Sequence, residues 1–128
     1  MEVQFDITRR FEKDLNALSK EGQRRIALSI DRYASSFDAE RGEPSEHIYQ
    51  PHKILLPEGL DSSLFVLRAT PKIRVILTIE DDPLFDRKLI TLIRVVKHDE
   101  LDRAFHSISK SLYQRLHAGA GAEGNDNG

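Results

Sequence analysis

Apolar and polar residues alternate at the start of the chain. Val3, Phe5 and Ile7 fall on one side, and Glu2, Gln4 and Asp6 on the other, which predicts a short, half-buried strand. Helical spacing follows. From Arg9 to Lys20 the apolar residues Phe11, Leu15 and Leu18 share one stripe of a helix that Thr8 can cap and Gly22 can end. Residues 23–37 carry a second stripe of Ile26, Ile30, Tyr33, Ala34 and Phe37. Two such helices with a very short connection predict an antiparallel hairpin.

Between Asp38 and Ser63 the periodicity breaks. Pro44, Pro51 and Pro57, with Gly42 and Gly59, mark a long loop of the kind that is usually functional or partly disordered. Ile48, Tyr49, Ile54, Leu55 and Leu56 predict that parts of it pack onto the core. Strand patterns come next. Leu64–Thr70 and Lys72–Asp81 flank Pro71 and predict a hairpin. In the second of these, Ile73, Val75, Leu77 and Ile79 share a face, and Lys72, Arg74, Ile76, Thr78 and Glu80 share the other. After a turn at 82–86, Arg87–Lys97 is the third strand of a meander. Asp99 can cap a final helix from Glu100 to about His117, with Leu101, Ala104, Phe105, Ile108 and Leu112 on one stripe.

The predicted fold class is α+β: an N-terminal strand, a two-helix hairpin, an antiparallel sheet with a three-strand meander, and a C-terminal helix. Helices on one face of such a sheet would leave the other partly open. Residues 1–117 are expected to form a single domain. Residues 118–128 are mostly Gly, Ala and Asn and read as a disordered tail.

Composition narrows the class. The chain has 128 residues, 39% apolar and 31% charged, as in an ordinary globular domain. It has no cysteine, which excludes disulfides, thiolate metal sites and a Cys nucleophile. No apolar run spans a bilayer, and the first residues lack the apolar stretch of a secretory signal, so a cytoplasmic protein without a membrane partner is expected. The formal net charge is -2, and two of the acids, Glu123 and Asp126, belong to the tail, so the body is neutral. Charge is nevertheless uneven: the loop at 38–63 is acidic, and the stretch 68–97 is rich in Arg and Lys. Arg24, Arg25 and Arg32 read as a solvated helix surface.

No phosphate loop, dinucleotide fingerprint or nucleophile elbow is present, and the His residues lack metal-binding spacing, so neither metal nor cofactor is expected. The informative constellation is Arg68, Arg74 and the run Arg94-Val95-Val96-Lys97-His98-Asp99-Glu100. Guanidinium groups with a nearby imidazole suit a phosphodiester. The forks neutralise phosphate charge, and a histidine can move a proton near neutral pH. His52 and Lys53, late in the loop, would lean over the same face. On spacing alone, a solubilising strand face and a helix-capping His98 are the stronger reading.

The segments FEKDLNAL, LFVLRATPKIRVIL and LIRVVKHDELDRAF, in this element order from Val3 to about Leu112, resemble the RelE/ParE superfamily of type II toxin–antitoxin toxins. The resemblance implies a cognate antitoxin that wraps the toxin, and a complex that binds operator DNA. In the RelE-like branch it implies a metal-independent mRNA endoribonuclease, often ribosome-bound, that inhibits translation in bacterial stress. There a 2′-hydroxyl attacks the neighbouring phosphate with help from basic residues. The implied catalytic residues are Arg74, which matches the arginine of the family's "YRV"-like strand, together with Arg68 and His98. Arg94, Lys97, Lys72, Lys53 and His52 would bind substrate RNA. The chain departs from the pattern at Ile73, in place of the tyrosine, and at Asp102, where an aromatic is common. Its neutral body also differs from ribosome-acting members. A ParE-like DNA gyrase inhibitor and a degenerate, non-catalytic antitoxin-binding domain are the alternatives.

Overall fold

The meander read from the sequence forms the centre of the sheet. The computed structural model describes residues 2–37, 46–50 and 63–111. The strands are β1 (Glu2–Ile7), β2 (Ile48–Tyr49), β3 (Leu64–Arg68), β4 (Ile73–Asp82) and β5 (Arg87–Lys97). The helices are α1 (Arg9–Asn16) and α2 (Lys20–Ser29), the latter continued by a π-helical turn over Ile30–Ala34. A 3-10 turn, His98–Glu100, leads into α3 at residues 101–111.

The five strands lie in the order β1-β5-β4-β3-β2. The pairs β2–β3, β3–β4 and β4–β5 are antiparallel, whereas β1 runs parallel to β5, so the sheet is mixed. Alternation fixes the face a side chain takes but not the direction of a neighbouring strand, and the parallel edge is invisible to it. The register slips between Ile76 and Leu77, which pair with Arg94 and Leu92 and leave Ile93 as the extra residue of a bulge. At that point β1 has ended and α1 takes its place. Thr8 N donates to Leu92 O at 3.1 Å, and Thr8 Oγ1 donates to Ile93 O at 2.9 Å.

Both faces of the sheet are buried. On one, Phe65, Leu67, Val75, Leu77, Ile79, Ile90 and Leu92 pack against Phe11 of α1 and against Ile26, Ile30 and Ala34 of α2 and its π turn. On the other, Leu64, Val66, Ile76 and Val96 pack against Leu101 and Phe105 of α3. The expectation of one partly open face is therefore corrected, because α3 crosses to the side opposite the hairpin. The uninterrupted apolar run Leu64–Leu67, buried at every position, is the signature of a strand covered twice.

Three boundaries differ from the pattern. α1 stops at Asn16, because Ser19 starts α2 by accepting from Gly22 N at 3.1 Å; Gly22 sits in that first turn instead of ending the first helix. β1 is an edge strand, and Phe5 (39%) and Ile7 (59%) stay exposed while Val3 packs on the core. Asp99 lies inside the 3-10 turn and is not the cap of α3. Ile48 of β2 is buried as expected, whereas Ile54, Leu55, Leu56, Leu112, the helix's expected end and the tail lie outside the described residues.

Candidate functional site

Strand register carries the candidate residues to one end of the sheet. Arg68, the last residue of β3, is paired with Arg74 of β4, Arg74 with Val96 of β5, and Ile73 with Lys97. One step further, His98 N donates to Lys72 O at 2.8 Å. Residues from three separate stretches thus meet where β3 ends, β4 begins and β5 ends. Arg68, Lys72, Lys97 and His98 are all exposed there. Together they offer a cationic rim with an imidazole, suited to a phosphodiester backbone. Asp99, Glu100 and Asp102 flank the rim on the α3 side and limit its net charge.

Arg74 has a different position from the one its motif implies. It is 5% exposed, and its Nη1 donates to Thr70 O (2.7 Å), Ile73 O (3.2 Å) and Pro71 O (3.3 Å), while its Nε has no partner. The guanidinium folds back on the β3–β4 turn and ties three carbonyls together. It braces the turn from which Lys72 emerges and does not present a fork to solution.

Arg94 is likewise committed. Its Nε donates to Asp14 Oδ2 at 2.7 Å and its Nη2 to Asp14 Oδ1 at 3.4 Å, and the same carboxylate accepts from Val95 N at 3.0 Å. The pair is largely buried, with side-chain exposures of 22% and 14%. Arg94 is thus a tie between β5 and α1, not part of the rim. No local pattern pointed to Asp14, whose partner lies 80 residues away in the chain. His52 and Lys53 lie outside the described residues.

Arg68 also lines a cleft of about 320 Å³ between α2 and the β3–β4 turn. Its other walls include Arg32, Tyr33 and His47, which no spacing in the sequence marks as a site. Among the described residues no cluster of three or more His, Asp or Glu is placed to hold a metal ion, and no helix is long and apolar enough to cross a membrane.

No family model matches the sequence, and no curated protein matches it. Solved structures similar to this chain include two from one bacterium. One is the solution structure of a conserved hypothetical protein, HP0894, from Helicobacter pylori, with a TM-score of 0.42 and 18% identity over 77% of this chain and 97% of that one. The other is a copper-bound mutant toxin from Helicobacter pylori, with a TM-score of 0.36 and 17% identity over 77% of this chain and 97% of that one. The α+β class of the present chain rests on its own strand order and helix layers.

Proposed function

We propose that this chain is the toxin of a type II toxin–antitoxin pair and acts as a RelE-like, metal-independent mRNA endoribonuclease that inhibits translation. One observation carries the reading: the register that gathers Arg68, Lys72, Lys97 and His98 at one exposed end of the sheet. The resemblance of the three sequence segments to RelE/ParE toxins supplies the reaction class. Arg68 neutralises the scissile phosphate, and Lys72 and Lys97 hold adjacent phosphates. The RNA 2′-oxygen attacks the neighbouring phosphorus as its proton leaves, and the bond to the 5′-oxygen breaks as that oxygen gains a proton. His98 serves one of these two transfers. Arg74 acts at a distance, by bracing the turn.

The partner that fits is an antitoxin with an acidic segment laid over the cationic rim, since opposite charge steers encounter. The toxin–antitoxin complex would then bind operator DNA. Inducing the chain in bacteria and mapping RNA ends tests the proposal. New cleavage sites and arrested translation are expected, with relief on co-expression of the antitoxin. Intact RNA together with growth arrest and an SOS response would replace it with a gyrase-directed toxin, the reading favoured by Asp102 and the neutral body. An inert phenotype would leave a non-catalytic binding domain.

A further inference from the structure

We infer that the cleft between α2 and the β3–β4 turn binds a single nucleotide unit, a phosphate with its unpaired base. The inference deepens the RNA reading by naming a subsite beside the catalytic rim, and it also covers a free mononucleotide, whose chemistry is the same.

Size and lining agree. At about 320 Å³ the cleft is at the small end of ligand pockets, fit for a small molecule and too small for a partner helix. Arg32 comes from the π turn and Arg68 from the end of β3, so the two arginines belong to separate elements of the lining. Both are exposed and neither forms an ion pair among the described residues, unlike Arg25, Arg87 and Arg94, which pair with Glu21, Asp82 and Asp14. Two arginines lining one cleft, with no ion pair among the described residues, suit a phosphate.

The base has a platform. The Tyr33 and His47 rings stack at 3.7 Å with an interplanar angle of 18°, and the Arg32 guanidinium lies 5.7 Å from the Tyr33 ring centroid. Leu28, also in the lining, is 58% exposed and offers an apolar surface. Unpaired bases stack on such aromatic, guanidinium and apolar surfaces.

The walls are also fixed in place. Ser29 Oγ donates to Ala69 O at 3.0 Å and pins α2 to the strand, while Arg68 N donates to His47 O at 2.7 Å and pins the ring pair to β3. The Arg74 clamp on Thr70 and Pro71 stiffens the far wall. The π turn, a feature frequent at functional sites, carries both Arg32 and Tyr33. A set width suits selection of a ligand, since little ordering is left for binding to supply. Glu46 also lines the cleft, and its negative charge works against a phosphate there.

The full-length protein is titrated with 5′-AMP, adenosine, inorganic phosphate and an unpaired RNA pentamer, followed by amide NMR. AMP should shift Arg32, Tyr33 and His47 saturably, and adenosine and phosphate should each bind about tenfold more weakly. Arg32→Gln, at an exposed position that spares the fold, should weaken AMP about tenfold. Glu46→Gln should tighten it about twofold by removing a repelling charge. A pentamer that binds more tightly than AMP through the same residues assigns the cleft to an RNA strand, and equal affinity assigns it to a free nucleotide. Absence of saturable shifts at these residues, or AMP affinity unchanged by Arg32→Gln, overturns the inference. The nuclease reading fails separately: it falls if the wild-type protein leaves RNA intact, whatever AMP does. His98→Ala should abolish cleavage and leave the AMP titration as it was.

Discussion

Asp14 completes the sheet where β1 runs out. β1 ends at Ile7, opposite Leu92, and the Val95 N–H beyond it donates to the Asp14 carboxylate, which Arg94 also holds. Replacing Asp14 with Ala strands a backbone donor and a half-buried guanidinium together, so a loss of about 2–3 kcal/mol is expected in urea denaturation. Asp14→Asn keeps an acceptor and should lose about half of that. Arg74 makes the opposite point. A buried guanidinium with an unpartnered Nε is a costly device, and Arg74→Met should destabilise by about 1 kcal/mol or less. In an RNA cleavage assay, Arg74→Met should lower the rate less than about tenfold, whereas His98→Ala and Arg68→Ala should each lower it by about 10²-fold or more. A loss at Arg74 equal to that at His98 would return Arg74 to direct phosphate contact. Alternation placed Arg74 on the face opposite Val75, but no local pattern states what covers that face. The residue's chemistry was legible and its accessibility was not.

At the scale of elements, Thr8 joins two of them. Its Oγ1 caps α1 by accepting from Phe11 N at 3.1 Å and also donates to Ile93 O in the bulge of β5. Thr8→Ala should therefore cost about 1–2 kcal/mol in denaturant unfolding, while Thr8→Ser keeps both bonds and should cost well under half as much. The capping role was readable in the sequence, because Thr directly precedes a helical stripe. The bond to Ile93 was not, since it spans 85 positions. The same contrast holds for Ser19 and Gly22. A glycine two helix stripes meet at reads as a stop, yet the serine three residues earlier captures its N–H and makes it part of the next helix's first turn.

For the whole molecule the decisive feature is a core on each side of one sheet. Phe11 of α1 (2% exposed) and Phe105 of α3 (1%) sit on opposite faces. Each Phe→Ala change should cost about 3–5 kcal/mol, since each empties a packed site. Both should shift a single cooperative transition, followed by circular dichroism, because the two cores share β3, β4 and β5. If Phe105→Ala left the midpoint in place, α3 would be a loose appendage and the second face free for a ligand. The candidate site lies at the sheet's end, where Arg68, Lys72, Lys97 and His98 are exposed.

Local periodicity determined the elements by itself: the alternation of β1, the two helical stripes and the meander are properties of residues near one another in the chain. The tertiary structure decided the rest. It set the parallel edge of β1, the crossing of α3 to the second face, the withdrawal of Arg74 and Arg94 from the rim, and the cleft built from α2, the segment before β2 and the β3–β4 turn. Each of these depends on register, a bulge or a side-chain bond between segments tens of residues apart, and the free energy that selects such pairings comes from packing and from satisfying buried polar groups. Spacing along the chain carries no record of that energy.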